Sequence, residues 1–133
     1  IATGRAVLAT QAMGADLAYV GSAFIATREA NAPDAYKRTI VDSAAADVVY
    51  TNLFTGVHGN YLRSSIVSAG LDPDALPTSD PSQMSFGSGH TKAWRDIWGA
   101  GQGVGAIHEV PPARELVARI RGEYHAARAE LCP

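Results

Sequence analysis

The sequence predicts an α/β protein, cut from a larger parallel α/β architecture, and three observations lead there. A helix-compatible stretch over residues 4–14 runs into the short apolar segment Leu17-Ala18-Tyr19-Val20. That segment leads at once into Gly21-Ser22 and a second short helix. Together these make half of a parallel unit whose preceding strand is missing. The chain also starts at Ile1, and Ile1-Ala2-Thr3-Gly4 reads as the middle of a turn, so the expectation is a piece of something longer.

The elements follow in order. Ala6, Val7, Ala9, Ala12 and Met13 favour a first helix, closed by Gly14. Leu17 to Val20, apolar throughout and bounded by turn residues, reads as a fully buried strand. Ser22 is placed to cap a short helix over Ala23–Ala26. Pro33 opens another helix, with Tyr36, Ile40 and Val41 on one face and Asp34 and Arg38 as a surface pair. Asp47 to Phe54, rich in β-branched and aromatic residues, reads as a strand. After a turn at 56–59, Asn60 is placed to cap a helix carrying Tyr61, Leu62, Ile66 and Val67, ended by Gly70. Residues 71–90, with Pro73, Pro77, Pro81, Gly87 and Gly89, form a long loop. Thr91 starts a helix with Trp94, Ile97 and Trp98 on its apolar face. Pro111-Pro112 opens the last helix, where Leu116, Val117, Ile120, Tyr124 and Leu131 recur at helical spacing.

Composition excludes several functions. Among 133 residues, 11 Lys and Arg face 13 Asp and Glu, a formal charge of −2, which gives no field to gather nucleic acid or an anionic membrane. Hydrophobic residues make up 47%, too many for a disordered chain. No apolar stretch approaches the roughly 20 residues of a membrane helix, and no signal peptide or basic leader opens the chain. A single cysteine, Cys132, allows no internal disulfide or cysteine-based zinc site. The expectation is a cytoplasmic protein with no nucleic-acid or membrane partner.

Chemistry can lie in few places. Gly21-Ser22 leaves a strand and enters a helix, so backbone N–H groups and the helix dipole converge where a glycine lets a ligand approach; such a corner holds phosphate without a basic side chain. A Ser-capped turn without a ligand is the plainer alternative. Gly101, Gly103 and Ala106 fit a loose dinucleotide pattern, but no buried strand precedes them, so a hinge or a tight backbone approach is the better reading. His58, His90, His108 and His125 are scattered, with no partner at metal-ligand spacing, so no metal site is expected. Trp94 and Trp98 read as packing anchors rather than ring-stacking groups.

Several motifs are shared with a known family. Ile1, Ala2 and Gly4 match a Gly-Gly-Ile-Ala-x-Gly element, Gly14-Ala15-Asp16 a helix end, and Val20 to Phe24 a strand end in Met-Gly-Thr-Arg-Phe, with Ser for Thr and Ala for Arg. Ala35-Tyr36-Lys37, Leu53-Phe54-Thr55-Gly56, Leu62-Arg63 and Ala100 to Gly105 continue the match in order. The sequence resembles the nitronate monooxygenases, once called 2-nitropropane dioxygenases.

The resemblance implies a (β/α)8 TIM barrel binding FMN, with an inserted, mainly helical domain over its mouth. This chain would be a C-terminal fragment: residues 1–30 the last helix, strand and phosphate loop, 31–109 the inserted cap, and 110–133 the closing helix. Such a barrel needs about 250 residues, so the remainder of the barrel is an implied partner. Tyr19, Val20, Gly21 and Ser22 then stand at the phosphate site of the last strand. No catalytic residue is expected in this chain; the family's histidine lies upstream. The implied activity is oxidation of a small nitronate with O2 to a carbonyl compound and nitrite. The alternatives are a flavin-dependent enoyl-acyl-carrier or quinone reductase of the same fold, or an inactive fragment serving as an interaction module.

Overall fold

A computed structural model of the chain describes residues 1–80 and 96–131. Helix α1 (Gly4–Ala12) starts where Thr3 Oγ accepts the Ala6 N–H at 3.2 Å, and ends at Gly14, whose φ of +96° suits the residue that lacks a Cβ. It lies against the long C-terminal helix α5 (Ala113–Leu131). The two approach so closely that a Cβ on Gly4 would sit 2.0 Å from the Ile120 carbonyl oxygen. Glu123 joins them: its carboxylate accepts the Gly4 N–H at 2.7 Å and pairs with Arg119 at 2.8 Å. Tyr124 donates to Gln11, and Arg5 pairs with Glu130. On α5, Leu116 is buried as the spacing predicts and Ala127 is buried as well, but Val117 and Leu131 face outward.

The segment 15–20 is extended yet pairs with no strand among the described residues. This corrects the expected buried strand: Leu17 and Tyr19 are each 90% exposed. An apolar strand is buried only when neighbours cover it, and the described residues supply none at either edge. Helix α2 (Ser22–Ile25) follows, with Gly21 at its N-cap.

Helix α3 (Asp34–Asp42) buries Ile40 completely and lays Tyr36 and Val41 on the core. Arg38 donates to the Asp34 main-chain carbonyl, so the expected side-chain pair is replaced by a local contact. Lys37, 6% exposed, donates through Nζ to the Arg28 carbonyl at 3.2 Å. A 3-10 turn (Ala45–Asp47) leads to β1 (Val48–Thr51), which pairs antiparallel with β2 (Gly59–Leu62). Here the reading of Asn60 as a helix cap is corrected. Asn60 stands opposite Tyr50 in the hairpin, and helix α4 (Arg63–Ser68) begins three residues later. The pairing wins because β1 would otherwise leave its backbone groups without partners. Gly70, at φ +81°, follows α4 as expected.

Residues 71–80 hold no helix or strand, in keeping with a loop. They are tied down by a two-point Arg63–Asp74 contact and by mutual hydrogen bonds between Asn52 and the Ser79 backbone. The remainder of that loop, Trp94, His90 and Cys132 lie outside the described residues. Trp98 stacks on Tyr36 of α3, its ring centroid 5.2 Å away, as a packing residue should. The glycine run makes a tight approach: Gly103 lies where a Cβ would come 3.2 Å from the Ala2 Cβ. A 3-10 helix (Gln102–Ala106) then buries Val104. One core collects Ala2, Ala23, Ala26, Ile40, Leu62, Ala100, Val104, Ile107 and Leu116.

Candidate anion-binding corner

The corner forms where the extended segment turns into α2. Gly21, at φ −107° and ψ −68°, makes the turn. Its carbonyl accepts the N–H groups of Phe24 at 2.9 Å and Ile25 at 3.2 Å. The three preceding N–H groups, of Gly21, Ser22 and Ala23, have no acceptor among the described residues. Orphan donors at a helix start are where an anion is held. No Lys or Arg is found between Tyr19 and Thr27, so any attraction for an anion there is carried by the backbone.

Ser22 does not cap α2, which corrects the expected role of its hydroxyl. Ser22 Oγ accepts the Gly101 N–H at 2.9 Å instead, which ties the glycine run to the corner. A residue 79 positions away competes successfully with the local cap. From Gly101 the chain runs back along β2: Ala100 N–H donates to Asn60 O at 3.2 Å, and Leu62 N–H donates to Trp98 O at 2.8 Å. Tyr36 holds this stretch by donating its hydroxyl to the Gly99 carbonyl, and burial pushes its phenol pKa up. Arg28 N–H donates to the Pro111 carbonyl at 3.0 Å, and the Glu29 carboxylate accepts the Ala113 N–H at 2.8 Å, which lowers the Glu29 pKa. The corner is thus fixed from the hairpin and from α5.

Of the four residues singled out by sequence, Gly21 and Ser22 form the turn itself. Val20 packs half-buried on the core, and Tyr19 points outward beside Gly21. Ala23 and Gly101 were not foreseen as parts of the corner. The Ala23 N–H carries no side-chain signal at all, and Gly101 reads from sequence only as part of a hinge or a tight backbone approach. Among the described residues no group of His, Cys, Asp and Glu could hold a metal ion. His108 lines a cavity of about 220 Å³ together with Ala23, Leu116 and Arg119, and His125 lies edge-on to Tyr124.

The fit of a phosphate can be tested at Gly21. A Cβ added there would meet only the Tyr19 ring, at an ordinary 3.6 Å, and φ is not in the left-handed region. Nothing within this chain requires a glycine at 21. A ligand closing on the backbone does require one, and the three free N–H groups are the donors it would use.

The fold is similar to that of two solved chains. The nitroalkane oxidase of Streptomyces ansochromogenes matches with a TM-score of 0.75 and 31% identity, over 98% of this chain and 39% of that one. FabK of Thermotoga maritima matches with a TM-score of 0.71 and 22% identity, over 98% of this chain and 44% of that one, which shows a common fold. The nitronate monooxygenase of Paraburkholderia phytofirmans is 28% identical across 98% of this chain and 38% of its own length. The chain belongs to the nitronate monooxygenase family, whose model matches residues 1–123. It spans about two fifths of the length of these relatives.

Proposed function

We propose that this chain is the C-terminal portion of an FMN-dependent oxidoreductase that oxidises small alkyl nitronates with O2 to a carbonyl compound and nitrite. In this reading residues 1–30 supply the last barrel helix, strand and phosphate loop. Residues 31–109 are the cap, and 110–133 the closing helix, in a cytoplasmic enzyme whose remaining barrel strands flank 17–20. The carrying observation is the corner at Gly21-Ser22-Ala23, with three unpaired N–H groups and a glycine that the chain itself does not need.

FMN, when bound, would supply the redox chemistry between substrate and oxygen. The residues of this chain bind and orient it. The N–H groups of Gly21, Ser22 and Ala23 would hold the phosphate, and Gly101 keeps Ser22 in place. Leu17 to Val20 would be covered on both edges by the rest of the barrel. The residue that removes or delivers a proton is supplied from outside this chain. Identity of 31% with nitroalkane oxidase, against 22% with FabK, favours a nitronate substrate over the reductase alternative.

The test is FMN titration of the full-length protein carrying Gly21→Val. The bulky side chain blocks backbone approach, so the flavin dissociation constant rises by a factor of about 100, equivalent to about 2.7 kcal/mol. The thermal midpoint without flavin stays near wild type, because a Cβ there meets no close atom. Unchanged flavin affinity refutes the placement.

A further inference from the structure

Tyr36 of α3 is half-buried and holds two consecutive residues of the segment that leads to the corner. Its ring stacks on Trp98 with centroids 5.2 Å apart and planes 14° from parallel. Its hydroxyl donates to the Gly99 carbonyl. A phenyl ring alone would make the same stack, so packing accounts for the ring and not for the hydroxyl. Burial pushes the phenol pKa up, which keeps the proton on the oxygen and the hydroxyl a donor.

The backbone of residues 98–101 explains what that hydroxyl holds. Successive residues of an extended chain point their polar groups to opposite edges. Trp98 O and Ala100 N–H face β2, where they meet Leu62 N–H at 2.8 Å and Asn60 O at 3.2 Å. Gly99 O and Gly101 N–H therefore share the other edge. Gly99 O meets Tyr36 there, and Gly101 N–H meets Ser22 Oγ at 2.9 Å. Neither glycine has a side chain with which to hold itself, and a Cβ at Gly99 would crowd the Asn60 carbonyl at 3.3 Å. On this edge the phenol does the work that a side chain cannot.

The consequence falls on Ser22. Its oxygen spends one lone pair on Gly101, so its own proton must point elsewhere, and it has no acceptor among the described residues. A hydroxyl that accepts one hydrogen bond becomes a stronger donor in the next. The Ser22 O–H thus stands as a fourth donor beside the N–H groups of Gly21, Ser22 and Ala23.

We propose that Tyr36 is a positioning residue for the cofactor phosphate: its hydroxyl fixes the Gly99–Gly101 edge against Ser22 and so keeps the Ser22 O–H available to the anion. This rests on the FMN reading above, which puts the phosphate at the corner. Tyr36 touches no ligand and acts through Gly101 and Ser22.

The experiment titrates the full-length protein with FMN and with riboflavin, which is FMN without its phosphate. Wild type, Tyr36→Phe, Ser22→Ala and the double variant are compared, each well below its own thermal midpoint so that lost stability does not enter. Tyr36→Phe keeps the stack on Trp98 and raises the FMN dissociation constant about fivefold, equivalent to about 1 kcal/mol, while riboflavin binding stays within about twofold of wild type. In the Ser22→Ala background the same change costs less than about twofold, because the group through which Tyr36 acts is gone. Unchanged FMN affinity in Tyr36→Phe, an equal loss for FMN and riboflavin, or full additivity with Ser22→Ala each overturn the inference alone. A wild-type protein that holds no flavin, or that binds FMN no better than riboflavin, removes it together with the reading on which it rests.

Discussion

Replacing Gly4 by alanine sets two effects of opposite sign against each other. Gly4 is the first residue of α1, and in a helix alanine is ordinarily better than glycine by up to about 1 kcal/mol. Here the added methyl would lie 2.0 Å from the Ile120 carbonyl oxygen and 2.4 Å from the Tyr124 nitrogen. Both are backbone atoms of α5 and cannot rotate away. Ordinary contact begins near 3.4 Å, so the helices must separate by about 1.4 Å. Overpacking of this kind costs about 1–3 kcal/mol. The same movement stretches the 2.7 Å hydrogen bond from Gly4 N–H to the Glu123 carboxylate, and losing a bond to a charged group costs about 1.5–3 kcal/mol more. The steric and polar costs exceed the helix gain, and Gly4→Ala destabilises by about 2–4 kcal/mol. Urea unfolding of the full-length protein reads this as a midpoint lowered by roughly 0.7 M for an m-value of about 3 kcal/mol/M, and by more for a smaller m-value. A midpoint at or above wild type would refute the close crossing of α1 and α5.

Two further outcomes follow from the same structure. Gly122→Ala, inside α5 with no atom within 4 Å of the new methyl, raises the unfolding midpoint by an amount equivalent to about 0.5–1 kcal/mol, the opposite sign from Gly4→Ala. The Asp74 carboxyl is held below its usual pKa by its hydrogen bonds to Arg63, then by the charge of that guanidinium. Its contribution is therefore present above the unfolded carboxylate range near 3.9 and is lost as pH falls through the lower folded value. Asp74→Asn narrows the stability difference between neutral and strongly acidic pH, a small effect for an exposed pair, measured as unfolding midpoints across pH.

Helices whose signals are local were legible in the sequence. The Gly14 and Gly70 stops, Pro33 before α3 and Pro111-Pro112 before α5 all lie where the residues placed them. What escaped was decided at a distance. Asn60 can cap a helix or pair in a hairpin, and β1, ten residues earlier, makes the choice. Ser22 looked like a cap until Gly101 claimed its hydroxyl. Gly4 looked like turn material, because nothing near it announces a helix crossing at Ile120 and Tyr124. In the site, the Gly21-Ser22 turn was readable from an apolar run meeting a glycine. The Ala23 N–H beside it was not, since a backbone donor leaves no mark in the side-chain pattern.

The extended stretch from Ala15 to Val20, unpaired among the described residues, is also backbone of the kind that proteases bind. A protease cleft binds its substrate as an added β-strand, and so selects backbone that is extended, accessible and free of ladder bonds. Leu17 and Tyr19 offer large side chains on just such backbone. Closing a barrel around this segment would hide the cleavage point and its recognition side chains in one event. In the reading proposed above, the residues that completed the barrel would thus also take this backbone out of a protease's reach.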